Sequence, residues 1–220
     1  MDRTAGTETS LADKAYAAIQ RKLLFLDIAP GEAIHDAKLA EEFGMGRTPV
    51  REALKRLEVD RLVISYPKRG TFATRVEITD LSYISEVRTQ LEPMAAARAA
   101  RVASPEQRAG LKNLIEQLKS FDIEEATTTE VLECDASIHR AIYSAAGNPH
   151  LEDSLIRYNN LATRIWCLVI ERLPRVADHV TESVALLQAI IDGDEDKASE
   201  LAHHHVSDFE SSVHSALFSG

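Results

Sequence analysis

Apolar residues recur every three or four positions along most of the chain, and strict alternation is confined to one short stretch between Leu62 and Val76. The helical spacing begins at Ser10, read as an N-cap, and runs to about Asp27. Leu11, Ala15, Ala18, Ile19, Leu23 and Leu26 fall on its buried side. Ala29-Pro30-Gly31 breaks it. Asp36 caps a short helix from Ala37 to Phe43, which Gly44 ends, and a tight turn leads into a helix from Arg47 to about Asp60. Leu62 to Tyr66 and Thr71 to Val76 then read as strands joined by the turn Pro67-Lys68-Arg69-Gly70. A helix, a helix-turn-helix and a basic hairpin in that order predict a winged helix-turn-helix.

After Val76 every periodic segment is helical. Thr79-Asp80 opens a helix to about Val102, with Pro93 expected to kink it. Ser104-Pro105-Glu106-Gln107 is a capping box with proline at the first helical position, starting a helix to about Phe121. A polar connection from Asp122 to Thr129 follows, then helices over about 130–146, 149–172, 176–192 and 195–216. The expected class is mainly α. A disordered arm (1–9) precedes a winged helix-turn-helix (10–76), and a linker (77–79) leads to an all-α bundle (80–217).

Composition sharpens this division. The 220-residue chain carries a net charge of −10, which by itself argues against nucleic acid. The average conceals an asymmetry: residues 1–76 hold 13 Lys+Arg and 11 Asp+Glu, while residues 77–220 hold 12 and 24. Within 47–75 the balance is 8 against 3, a basic tip on an acidic body. Two cysteines, Cys134 and Cys167, make no disulfide framework. No apolar run is long enough to span a bilayer and the first residues lack a signal-peptide core, so a cytoplasmic protein without membrane contact is expected.

The Arg47 helix sorts cleanly by angle. Val50, Ala53, Leu54 and Leu57 form an apolar face, with Arg47, Arg51 and Lys55 as a cationic stripe beside it and Thr48 at its edge. Pro49 sits in the first turn, where backbone N–H groups lack intrahelical acceptors. Such a helix can seat on a core and present guanidinium forks to guanine edges and phosphates. Lys68 and Arg69, beside Gly70 at the hairpin tip, stand where a wing meets the DNA backbone. The plain alternatives are a solvated basic helix and a structural hairpin.

In the second domain Asp135 and His139 lie four apart on one helix, among Val131, Leu132, Ile138 and Ile142, so both can address one centre near the bundle interior. A buried Asp–His hydrogen bond is the alternative. Of His203, His204 and His205, adjacent helical residues diverge by about 100°, so one or two can face the same way. Tyr158 and Trp166 read as core or dimer packing.

The run LAEEFGMGRTPVREALKRLEVDRLV (39–63), followed by KRGTF (68–72) and preceded by LADKAYAAIQRKLLFLDIAPGEAI (11–34), resembles the DNA-binding domain of the GntR family of bacterial regulators. Gly46 departs from the family's usual Ser or Thr, removing a hydroxyl that could touch phosphate. Residues 80–216 resemble the all-helical FCD effector domain of the FadR subfamily, whose metal pattern is D-x3-H, a second His and a third. Asp135, His139 and His205 match three of these ligands, and Ser183 stands where the remaining His is expected. His179, one turn earlier, is a substitute on the same helix. Arg88 and Glu92 match the subfamily's R-x3-E, which puts Arg88 in the effector pocket; an exposed ion pair is the alternative. The resemblance implies a homodimeric regulator, a repressor by expectation, binding a palindromic double-stranded operator and sensing a small carboxylate through Arg88 and Ser183. A divalent metal is implied, Zn²⁺ foremost, with Ni²⁺ and Mn²⁺ as alternatives. The rival readings are a metal-dependent hydrolase fused to a DNA-binding domain, against which no separate nucleophile or general base is found, and a bundle that serves dimerisation alone.

Overall fold

A computed structural model of the chain describes residues 9–122, 125–170 and 176–218, with side chains described except at 176–181 and 216–218. The arm expected over 1–9 therefore lies, but for Thr9, outside the described residues, as does the His179 side chain. The chain divides into two compact units, residues 1–76 and 77–220. Among the described residues no helix is long and apolar enough to cross a membrane.

The first unit is a winged helix-turn-helix. Helix α1 (Leu11–Leu24) starts at a full capping box in which Ser10 and Asp13 satisfy each other's backbone N–H groups. It ends earlier than the periodicity suggests. Leu26, expected on the buried face, has φ +62 and lies past the helix, and Leu24 and Ile28 are buried in its place. Leu11 also departs from expectation, being 55% exposed. A two-residue strand β1 (Ala33–Ile34) precedes α2 (Asp36–Glu42). Asp36 is the first residue of α2 rather than its cap. His35 occupies the N-cap and makes no side-chain cap bond. Gly44, at φ +62, lets the chain turn sharply into α3 (Arg47–Val59).

Helix α3 seats as the pattern predicts. Val50, Ala53, Leu54 and Leu57 are buried, against Ala15, Ile19 and Leu23 of the α1 core face. Each large side chain so buried contributes about 1.5–3 kcal/mol over exposure. The seam is closed by polar contacts: Tyr16 donates to Asp60 (2.7 Å), and the Arg56 guanidinium lies 4.3 Å from the Tyr16 ring centroid. Strands β2 (Val63–Tyr66) and β3 (Gly70–Ala73) form the hairpin, and the antiparallel sheet has the order β1-β3-β2. Ala33 pairs Phe72 and Ile64 pairs Phe72 from the other side. At two residues, β1 is too short for alternation to reveal it.

The second unit is an all-α bundle of α4 (Asp80–Val102), α5 (Pro105–Ser120), α6 (Thr128–Ala145), α7 (Pro149–Val169), α8 (Val176–Asp192) and α9 (Glu195–Phe218). The caps explain the boundaries. Ser104 with Gln107 and Thr127 with Glu130 form capping boxes, and Asn148 accepts from two backbone N–H groups ahead of Pro149. Thr79, by contrast, makes no side-chain cap bond to α4. Helix α4 continues through Pro93 and packs against α6, α7, α8 and α9. Its buried stripe runs Leu81, Ser85, Arg88, Glu92, Ala95, Ala96, Ala99 and Ala100, and the four alanines allow close helix approach. One arginine holds the far end together. Arg108 on α5 donates to the Ala100 and Ala103 carbonyls ending α4 and to Ile190 and Ile191 near the end of α8, at 2.5–3.2 Å.

Candidate functional site

Two places gather the residues singled out by the sequence, one in each unit. In the first, Arg47, Thr48, Arg51 and Lys55 on α3 are exposed, with Pro49 half-buried. Lys68, Arg69 and Gly70 are exposed at the wing tip. Lys68 (φ +61) and Gly70 (φ +97) adopt left-handed backbone there, and Arg69 lies 5.8 Å from the Tyr66 ring centroid. Two members of the stripe have a carboxylate partner. Arg47 Nη2 donates to both Asp36 oxygens (3.0 and 3.1 Å) and Arg51 Nε donates to Oδ2 (2.5 Å). Hydrogen bonding from Arg51, opposed by slight burial and reinforced by Arg47, holds the Asp36 carboxyl below its usual range.

The second place lies inside the bundle. Helix α6 brings Asp135 and His139 to one face, and α9 supplies His205; all three are buried, and their ligand atoms lie within 4.8 Å of one another. His139 Nε2 is 3.3 Å from His205 Nε2 and 3.7 Å from Asp135 Oδ1. The latter is too long for the Asp–His hydrogen bond considered above. Asp135 Oδ1 is fully buried and accepts no hydrogen bond among the described residues.

Helix α4 stands behind His139. Glu92 Oε2 is 3.3 Å and the Tyr143 hydroxyl 3.1 Å from its Nδ1, while Glu92 Oε1 accepts from Arg88 Nε at 2.5 Å. The Arg88–Glu92 pair is thus buried, not a surface pair. Burial would raise the Glu92 carboxyl, but Arg88, then His139, outweigh it and hold it far below the usual range. An ionised Glu92 facing Nδ1 fixes the proton there and directs the His139 Nε2 lone pair toward His205 and Asp135. Burial likewise disfavours the His139 imidazolium, yet Glu92 and Asp135 outweigh it and raise its pKa. Two carboxylates that favour a proton favour a divalent cation in its place. Burial, with the Glu92 charge behind it, pushes the Tyr143 hydroxyl well above its usual value, so it stays neutral.

The donor set fits a metal. Two imidazole nitrogens on one tetrahedral Zn²⁺ with Zn–N of about 2.0–2.1 Å stand about 3.3 Å apart, the separation seen between His139 and His205. An N–H···N bond would also span 3.3 Å, but it leaves Asp135 Oδ1 buried without a partner. Ser183 is buried on α8. Beside the cluster is a cavity of about 10 Å³ lined by Arg88, Asp135, His139, Asn159, Thr163, Trp166 and Phe209, among others. That is room for about one water or ion, not for an organic acid.

With this geometry in view, the comparisons with known proteins are informative. The model of the bacterial regulatory proteins of the gntR family matches residues 11–73, and that of the FCD domain matches residues 83–208, more than half of the chain. The chain belongs to the GntR family and carries an FCD domain. The HTH-type transcriptional regulator YdhC of Bacillus subtilis is 26% identical over 87% of this chain and 84% of its own length. The HTH-type transcriptional repressor RspR of Escherichia coli is 21% identical over 90% of this chain and 86% of its own. The solved structure of E. coli McbR/YncC superposes with a TM-score of 0.81 at 23% identity, covering 94% of this chain and 98% of that one. The chain is accordingly a DNA-binding transcription regulator, and its families are those of regulators rather than enzymes.

Five FCD-domain residues around the cluster are wholly or partly missed from sequence alone. Tyr143 sits one turn after His139, and that i+4 spacing was available as a signal. Glu92 was read as a partner of Arg88 alone, although its stripe of Leu81, Ser85, Ala95 and Ala99 marks it as buried. Asn159 and Thr163 on α7 carried no motif. Trp166, read as packing, does pack on Phe209 (5.2 Å between centroids) and also lines the cavity.

Proposed function

We propose that residues 10–76 bind a palindromic DNA operator as a repressor and that residues 80–217 form homodimers and answer a small carboxylate through a bound divalent metal. On DNA, Arg47 and Arg51 read guanine edges, while Thr48, Pro49 and Lys55 on α3 and Lys68, Arg69 and Gly70 on the wing meet the backbone. In the bundle, Asp135, His139 and His205 hold the ion, foremost Zn²⁺, and Ser183 leaves one position to water or to the effector. The metal would supply a Lewis-acid site for a carboxylate oxygen. Glu92 keeps His139 in the ligating tautomer, and Arg88, bound to Glu92, lines the small cavity beside the cluster, which must widen before an acid can enter it. A protein of this kind works in the cytoplasm, beside its DNA.

The observation that carries the metal reading is the buried Asp135 Oδ1, which accepts no hydrogen bond among the described residues, close to the ring nitrogens of His139 and His205. It is tested by elemental analysis and thermal unfolding of wild type, His139→Ala and Ser183→His after incubation with Zn²⁺, Ni²⁺ or Mn²⁺. Wild type should hold one ion per chain and gain about 2.7 kcal/mol of stability at an ion concentration 100 times Kd. His139→Ala should lose both, and Ser183→His should bind more tightly. Equal, negligible metal in wild type and His139→Ala would leave a bundle that dimerises without an ion.

A further inference from the structure

Asp36 is the first residue of α2, and two cations of the next helix converge on it. Arg47 and Arg51, one turn apart, share its carboxylate and make no other side-chain hydrogen bond or ion pair among the described residues. The anion is recessed, with its side chain 22% exposed against 55% and 60% for the two arginines. It forms part of the wall of a cleft of about 390 Å³ between α3 and the wing, which Arg51, Lys55 and Thr71 also line. An approaching duplex therefore meets the guanidiniums first and the carboxylate behind them.

The donors left over are informative. Arg51 gives Asp36 its Nε and keeps Nη1 and Nη2, a pair matched to O6 and N7 of guanine. Arg47 gives Nη2 and keeps Nη1 and Nε. Fixing the two forks removes rotamer freedom before DNA arrives, while one negative charge among two positive ones lessens attraction to phosphate at any sequence. We propose that Asp36 is a specificity-determining positioning residue: its carboxylate aims Arg47 and Arg51 at guanine edges and withholds them from the phosphates of unrelated DNA. A carboxylate serving the fold alone would alter affinity for all duplexes alike.

The inference rests on Arg47 and Arg51 facing DNA, so both are tested together. A duplex is selected by the wild-type protein from a randomised pool. Binding is then measured to it, to versions with each G·C pair replaced by A·T, and to a scrambled duplex. Asp36→Ala should bind the scrambled duplex several-fold more tightly, with a salt dependence steeper by about one released counterion. Its preference for the selected duplex should fall about tenfold, at the same G·C pairs at which Arg47→Ala and Arg51→Ala lose discrimination. Asp36→Glu, which restores the charge, should recover part of the preference. If the arginine variants lose discrimination while Asp36→Ala keeps the wild-type preference within about twofold, Asp36 is an ordinary surface ion pair and the proposal fails. If the arginine variants bind like wild type, the reading surface itself is misassigned, a different failure that removes both.

Discussion

Asp36 and Glu92 are each a single carboxylate shared by two side chains: two guanidiniums at the surface of the DNA-binding unit, and a guanidinium and an imidazole in the interior of the FCD domain. Around Asp36 the arginines remain more than half exposed, so water screens the pairs and each is worth about 0–1 kcal/mol. Around Glu92 the side chains of Arg88, Glu92 and His139 are 3–5% exposed, and bulk water does not screen them. There each charge has lost its hydration and depends on the others. The surface arrangement leaves its arginines with donors that DNA can still reach. The interior one must stay intact for the helices to close, and it is suited to holding a histidine in a single orientation.

The largest effect that would break this contrast is on stability. Glu92→Ala leaves the Arg88 guanidinium buried and unpaired and should destabilise the FCD domain by about 3–5 kcal/mol. The chain's single tryptophan, Trp166, is buried next to the site, so its fluorescence in a urea titration reports this unit specifically. A loss below 1 kcal/mol would mean that the interior trio is solvated after all. Next comes DNA affinity: Arg47→Ala and Arg51→Ala should each weaken binding to the selected duplex by about 1–3 kcal/mol, with the Trp166 transition unmoved. A shifted transition would mean that these arginines also support the FCD domain, although they belong to the first unit. The smallest effect is the acid response of Asp36. Its carboxyl is held below the usual value, so its contribution is present at neutral pH and fades as pH falls below about 4 toward the folded value. Wild type and Asp36→Asn should therefore differ in stability by less than about 1 kcal/mol at pH 7 and converge in acid, as read by helical circular dichroism.

Much of the fold is legible in the sequence because its signals are local. Ser10, Ser104, Thr127 and Asn148 announce helix starts within three residues, and the apolar face of α3 follows from angle alone. Features that depend on distant partners are not legible. The pairing of β1 is decided by Phe72 and Thr71 across the sheet. Asp36 looks like a helix cap until α3 folds back over it. At the buried cluster, motif spacing names Asp135, His139 and His205, but their environment comes from α4 and α7. The i+4 spacing within α6 turns Tyr143 toward His139, but no spacing reveals that Glu92 of α4 meets the same nitrogen.

Arg108 has a consequence for kinetics. It lies 82 residues from Ile190 along the chain and 8 from Ala100, so its bonds to the end of α8 require a long loop to have closed. They have nothing to grip until the bundle is nearly complete and belong on the native side of the folding barrier. Arg108 thus acts as a brake on opening: its loss should raise the unfolding rate constant while leaving the folding rate constant almost unchanged. A long-lived native state then follows from one guanidinium laid across two helix ends.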